Sequence, residues 1–314
     1  MFKILLPKML KNFIWRKIIR KSNLILTLLF VFLLQGSVYA NDILSTSKQT
    51  LGNYIVGAIS NSTPDFIKYF DMEYTFSADS EDTFSITTLS SISEDDESLM
   101  FNQTSIYRSN DNTTVNMGFG YRSFLNDDKM ILGANVFYDR EVEVTHQRVG
   151  IGLELLTSIF DLRSNLYEAF SDKKLVANND IEKALDGWDV RLDYHLPATM
   201  VDGYDVTFFT SYYDWSESGG TFSVDGYKIG FSSRLYKNLY IEAGLDDDNK
   251  DNQDFYLVMN YAFKFFDNEN NVSENRTQGS FEFESVKHRL YEKVLRENRI
   301  IKVVKGAVKV KRGN

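Results

Sequence analysis

Residue types that could do chemistry are few in this chain of 314 residues, and their spacing is poor. The three histidines are His146, His195 and His288. They have none of the separations of a zinc site, and no Ser-His-Asp constellation can be read around them. Asp246, Asp247, Asp248, Asp251 and Asp254 form a carboxylate run. Lys250 and Asp251 stand where an EF-hand loop needs an acid and a glycine, so a solvated loop with at most loose Ca²⁺ affinity is expected. Two GxG pairs, in VNMGFGYRSF (115–124) and RVGIGLELL (148–156), would have to follow a strand and open a helix to cradle a dinucleotide, and neither does. With no cysteine, thiolate metal sites and disulfides are excluded. The expectation is a chain that is not an enzyme, with no catalytic residue, no metal and no cofactor.

The elements around these residues say more. Seven basic residues precede the apolar run LILTLLFVFLL (24–34), which is followed by QGSVYA with Val38 and Ala40 at the −3 and −1 positions of a cleavage site. This is the three-part pattern of a secretory signal peptide over 1–40. A membrane anchor is the competing reading, but an apolar run of eleven residues falls short of the hydrocarbon thickness. Beyond residue 40 the chain carries 28 basic and 44 acidic residues, which argues against a nucleic-acid partner. Residues 41–266 hold 17 Lys and Arg against 37 Asp and Glu, whereas 285–314 hold 10 against 2. An acidic body with a basic tail suggests that one receives the other.

From residue 65 onward a period of two recurs between turn signals. It predicts twelve strands at 68–78, 83–92, 98–109, 113–125, 129–141, 146–158, 160–171, 188–197, 204–215, 223–236, 238–247 and 254–266. Several even-numbered links are short, while 172–187 is a long polar loop. An even strand count with this asymmetry predicts a 12-stranded antiparallel transmembrane β-barrel over 65–266, both its ends on the periplasmic side of a bacterial outer membrane. Met130, Leu132, Ala134, Val136 and Tyr138 then face lipid, and Gly133, Asn135, Phe137 and Asp139 face a lumen. A soluble sandwich or lipocalin-like barrel also alternates, with its apolar face turned inward.

The run 114–155, followed by DGWDVRLDYHLP (186–197), resembles the β-domain of inverse autotransporters, the intimin and invasin family, and the likeness extends over roughly 65–303. Its most specific pieces are Gly133, Asn135, Phe137, Asp139; Arg148, Gly150, Gly152, Glu154; and Gly187, Trp188, Asp189, Arg191. The resemblance implies an outer-membrane anchor of the type V secretion class that exports a passenger joined to its C-terminal end. The family's linker re-enters the pore, partly as a helix. Outer-membrane lipid, the barrel-assembly machinery and periplasmic chaperones are the implied partners. The passenger repeats that carry adhesion in the family are not found in these 314 residues, and 41–64 is too short for a peptidoglycan-binding module.

Gly118, Gly120, Gly133, Gly150, Gly152, Gly230 and Gly244 share the expected lumen face with Arg122, Asn135, Asp139, Arg148, Glu154, Asp189 and Arg191. Strand glycines cost stability, so they either relieve curvature or clear space for a segment in the pore. The natural occupant is the linker 267–314. Its stretch 285–299 places Val286, Leu290, Val294 and Leu295 among Lys287, Arg289, Lys293, Arg296 and Arg299 and predicts a short plug helix. Two other readings stay open: a small porin-like channel gated by the basic tail, and a surface binding protein acting through loop 172–187.

Overall fold

The computed structural model describes residues 66–78, 80–109, 112–176, 180–236, 238–250, 253–264 and 281–305. The expected signal peptide with Val38 and Ala40, the segment 41–64 and the last residues of the tail lie outside them. Twelve strands form one closed antiparallel barrel: β1 (Ile67–Ser77), β2 (Thr83–Glu94), β3 (Ser98–Ser109), β4 (Asn112–Leu125), β5 (Met130–Glu141), β6 (Gln147–Thr157), β7 (Phe160–Ala169), β10 (Asp186–His195), β11 (Val206–Ser216), β12 (Ser223–Arg234), β13 (Leu239–Asp248) and β14 (Gln253–Lys264). Each ends within two residues of the limits read from the period of two. Closure is made by β1 on β14, with Tyr69 opposite Lys264 and Ser77 opposite Tyr256, so no edge is left unpaired. The base of the barrel is the end at which β1 begins and β14 finishes, and the opposite end is the mouth.

Alternation explains the two faces. Met117, Phe119, Tyr121, Leu132, Val136, Ile151, Leu153, Leu162 and Leu166 are exposed on the outer face, while their neighbours Asn116, Arg122, Asn135, Asp139, Arg148, Glu154, Arg163 and Asn165 are buried inside. A water-soluble barrel would show the reverse, so lipid is the solvent this outer face fits. At the base, the β4–β5 turn runs through Asn126, Asp127 and Asp128 with φ of 54°, 54° and 60°. Asn and Asp tolerate this left-handed region better than other residues with a Cβ.

Two elements differ from the sequence reading. The stretch 172–187 is not a structureless loop: β8 (Lys174–Leu175) and β9 (Ile181–Ala184) pair there, and β15 (Lys302–Lys305) adds to β9 as the third strand of a small sheet. The expected plug helix over 285–299 does not form. Only Lys287–Arg289 makes a 3-10 turn, and the chain then continues without regular structure to β15. The apolar positions 286, 290 and 294 suit a helical face, but a step of four also returns to the same side of an extended chain. A helix this short is marginal by itself, and with side chains it is about 10–12 Å wide, more than an extended chain needs.

The lumenal glycines follow from register. Across β5 and β6, Gly133 faces Glu154, Asn135 faces Gly152, Phe137 faces Gly150 and Asp139 faces Arg148. A Cβ on Gly118 would lie 2.4 Å from the Phe137 ring, on Gly120 2.2 Å from the Phe101 ring, and on Gly133 2.4 Å from the Glu154 carboxylate. On Gly152 it would meet Asn135 at 2.5 Å, and Gly230 and Gly244 are crowded by the Ala243 carbonyl, Phe209 and Tyr256. Most of these glycines therefore make room for large side chains of the adjacent strands, which lie flat against the wall. Gly150 alone among them has the pore segment as nearest neighbour, with Arg296 Nη2 2.8 Å from its would-be Cβ. The expectation that the whole set clears space directly for the plug is corrected accordingly.

Gly118→Ala is expected to destabilise the barrel by about 1–3 kcal/mol through overpacking. In urea unfolding from lipid vesicles, Gly118→Ala with Phe137→Leu should lose clearly less than the sum of the two single changes, and strict additivity would contradict the flat-packing account. Val136, on the outer face, should cost about 2–4 kcal/mol as Val136→Arg if it meets the bilayer midplane.

Candidate functional site

The lumen is threaded by the chain's own segment 281–305, and its contacts climb the wall in order. At the base, Glu284 N–H donates to Ser158 Oγ at 2.9 Å and Val286 N–H to the Asp128 carbonyl at 2.8 Å. Val286 packs on Ile131 and Leu156. Higher up, Leu290, Tyr291 and Val294 join Tyr69, Leu89, Leu99, Phe101, Phe137 and Ala262 in one apolar cluster. At the mouth, Leu185 N–H donates to the Ile301 carbonyl at 2.9 Å, and β15 pairs with β9.

An extended chain in a pore has no ladder partner for most of its backbone, and the wall supplies side chains instead. Gln103 accepts from Val294 N–H at 2.7 Å and donates to its carbonyl at 3.3 Å. Arg122 donates to the carbonyls of Leu290 (2.7 Å) and Glu292 (2.6 Å), and Asn165 to that of Leu295 (3.3 Å). Arg148 serves Glu297 O at 2.6 Å, Asn116 serves Asn298 O at 2.9 Å, and Tyr167 OH accepts from Glu297 N–H at 2.8 Å.

The basic residues of the segment are held by wall carboxylates. Arg289 makes two bonds to Asp161, at 2.7 and 2.6 Å, and Asp161 also takes Arg163 at 3.0 Å. Lys293 lies between Asp71 at 2.8 Å and Glu73 at 2.6 Å. Arg296 grips Asp139 with two bonds of 2.7 Å, sharing it with Arg148, and stacks 4.3 Å from the centre of the Phe137 ring. Lys302 reaches Glu141 at 2.5 Å and Glu182 at 2.8 Å, and Lys305 reaches Glu217 at 2.5 Å. Buried charges of this kind are tolerated only when paired and hydrogen-bonded. Lys287 is exposed at the base with Asp128 at 3.0 Å, and Arg299 is exposed near the mouth.

The remaining wall residues singled out in the sequence line the lumen without touching the segment's charges. Glu154 pairs with Arg122 at 2.7 Å, Asp189 takes Tyr167 OH at 2.6 Å, and Arg191 spans Asp193 and Glu242 at 2.9 and 2.8 Å. Sequence reasoning missed Gln103, Asp71, Asp161, Glu141 and Glu182. Parity within the strands places Asp71, Gln103 and Asp161 on the inner face, but not their partner on the tail. Beside the segment, against β10–β14, a charged cavity of about 220 Å³ remains, lined by Arg163, Arg191, Asp193, Asp205, Arg234 and Glu242 among others.

At the mouth, the hydrogen bond from Lys305 holds the Glu217 carboxyl below its usual range. Burial, reinforced by Lys302 and Lys174 and opposed by Glu182, keeps the His146 imidazole below its ordinary value. His146 and His195, scattered in sequence, each sit beside carboxylates: His146 Nε2 is 3.2 Å from Glu182, and His195 Nε2 is 3.2 Å from Asp161.

A solved structure from work on the in-meso crystallization of membrane proteins superposes with a TM-score of 0.64 at 21% identity, covering 76% of this chain and all of that one, a likeness of fold. An attaching and effacing protein homolog of Escherichia coli K12 is 35% identical over 118 residues, which are 37% of this chain and 40% of that protein. The inverse autotransporter adhesin YeeJ of the same strain is 33% identical over 108 residues, 33% of this chain and 4% of that protein. The chain thus matches well under two thirds of either relative's length. The family model for the inverse autotransporter β-domain matches residues 34–298, and with the closed twelve-stranded barrel this shows that the chain belongs to that family, as a β-barrel of the bacterial outer membrane.

Proposed function

We propose that this protein is an outer-membrane anchor and translocator β-domain whose pore carries its own C-terminal segment from the periplasmic base to the extracellular mouth. The observation that carries the reading is the ordered climb of contacts from Ser158 and Asp128, through Asp161 and Asp139, to Glu141, Glu182 and Glu217. A channel gated by a loosely held tail would not need side chains aimed at backbone carbonyls over the whole length of the pore. Delivery by periplasmic chaperones and insertion by the barrel-assembly machinery belong to this proposal, as does the surface display of whatever follows β15. Removal of residues 1–40 as a signal peptide belongs to it too.

The chain has no cysteine, so single cysteines report without background. Val304 is 54% exposed, and Lys287 has an exposed side chain at the base. A membrane-impermeant maleimide should label Val304→Cys on intact cells and Lys287→Cys only after permeabilisation. Labelling in the opposite order would reverse the direction of the segment and defeat the proposal.

The threaded lumen should be nearly silent in planar bilayers. Arg289→Ala, Lys293→Ala and Arg296→Ala combined remove the ion pairs that hold the segment below the mouth and should raise single-channel conductance while leaving the barrel's heat-dependent gel shift intact. High conductance in the unaltered protein would favour the porin-like alternative.

A further inference from the structure

The mouth holds a side-chain cluster that the reading above does not use. Glu141 ends β5, His146 closes the β5–β6 turn, and Glu182 lies on β9, which the β7–β10 connection folds over the opening. All three are buried, at 1%, 0% and 7% exposure, and one ligand-type atom from each lies within 4.8 Å of the other two. His146 Nδ1 is engaged with Ser171 Oγ at 2.9 Å, which leaves Nε2 pointing at the carboxylates. Nε2 makes no hydrogen bond although Glu182 Oε1 is 3.2 Å away, and Glu141 Oε2 also has none. A wholly buried imidazole with one nitrogen left toward two carboxylates and the other oriented by a hydroxyl meets the second-shell requirement of a metal-binding histidine. The cation now in contact with both carboxylates is Lys302 Nζ, 2.5 Å from Glu141 and 2.8 Å from Glu182.

We propose that Glu141, His146 and Glu182 form a binding site for a divalent transition-metal ion of the Zn²⁺ class, and that the ion competes with Lys302 for it. One imidazole nitrogen with two carboxylate oxygens suits Zn²⁺, Co²⁺ or Ni²⁺ rather than Ca²⁺ or Mg²⁺, which take oxygen ligands. An ammonium and a dication cannot occupy the same few ångströms between two carboxylates, so metal entry displaces Lys302. Lys302 lies on β15, paired with β9, so occupancy by metal loosens one of the holds on the segment leaving the pore, beside that of Lys305 on Glu217. The side chains of Lys302 and Glu182 keep 14% and 10% exposure, and this is the route by which an ion enters. The inference rests on the cluster's geometry and stands whether or not the segment is a translocated one.

The test is titration of the untagged, refolded full chain in chelator-free detergent with Co²⁺, followed by visible absorption, and with Zn²⁺ by calorimetry. One equivalent should bind, and Lys302→Met should bind at least tenfold more tightly than the unaltered chain. His146→Ala and, independently, Glu182→Gln should abolish binding, with the gel shift on heating confirming that each variant is folded. If neither the unaltered chain nor Lys302→Met binds either ion, or if binding survives both His146→Ala and Glu182→Gln, the site does not exist. If Lys302→Met binds no more tightly than the unaltered chain, the competition is refuted. Maleimide labelling of Val304→Cys, repeated with and without Zn²⁺, reads the anchor function separately: surface labelling that persists while metal binding fails sinks only the metal site.

Discussion

A segment that passes through a pore without pairing must find partners for its backbone, and most of the lumen is arranged around that requirement. In lipid the barrel strands satisfy one another, but a thirteenth segment inside the closed ring has no ladder to join. Leaving a buried carbonyl or amide unmet costs about 1–3 kcal/mol each. Gln103, Arg122, Asn116, Arg148, Asn165 and Tyr167 meet this demand along 290–298. Arginine is well suited to the task, since its five donors can serve a carbonyl and a carboxylate at once. Arg122 does so with Leu290, Glu292 and Glu154, and Arg148 with Glu297 and Asp139.

Long side chains can serve the centre of the pore only if the wall beside them is thin. That is the place of the glycines. Reading across the strands, Gly118, Phe137, Gly150 and Tyr167 stand in one row, and Gly120, Asn135, Gly152 and Asn165 in the next. Each large residue lies over a neighbouring strand that has no Cβ to obstruct it. Phe137 laid flat on Gly118 then offers its face to Arg296, and Phe101 on Gly120 offers its face to Arg122 at 4.9 Å. The stability lost by placing glycine in a strand is offset by ring packing and by cation–π contacts in a desolvated space.

The barrel was legible because lipid enforces a strict rule. Charge stays off the middle of the outer face and returns only near strand ends, as at Arg108, Arg140 and Glu168, so strands such as β5 and β6 announce both their extent and their faces. The two β5 and β6 motifs are even complementary when written antiparallel, Gly133 with Glu154, Asn135 with Gly152, Phe137 with Gly150 and Asp139 with Arg148. The conformation of the pore segment was not legible, because positions 286, 290 and 294 are consistent with two periodicities and the choice falls to the width of the cavity. Nor was the mouth. Glu141, His146 and Glu182 are separated by up to 41 positions, and only the fold of β9 against β15 brings Glu182 to the others. The acidic body and basic tail did point to their pairing, although composition could not say that Arg289 takes Asp161 or that Arg296 takes Asp139.

Two kinds of contact hold the segment, and they respond differently to what occupies the pore. Bonds from Gln103, Arg122, Arg148 and Asn116 go to backbone atoms, which every residue except the proline nitrogen presents alike. They cradle an extended chain of any sequence. The bonds of Asp161, Asp71, Asp139 and Glu141 go to Arg289, Lys293, Arg296 and Lys302, and are made only when those side chains arrive at those heights. Uncoupling a buried pair costs about 3–5 kcal/mol when one partner is left alone. On the translocator reading proposed above, a wall that combines the two would let a chain slide while its sequence is neutral and arrest it where its charges match. The resting register is therefore set by the segment's own sequence, and the capacity to hold an extended chain at all is set by the wall.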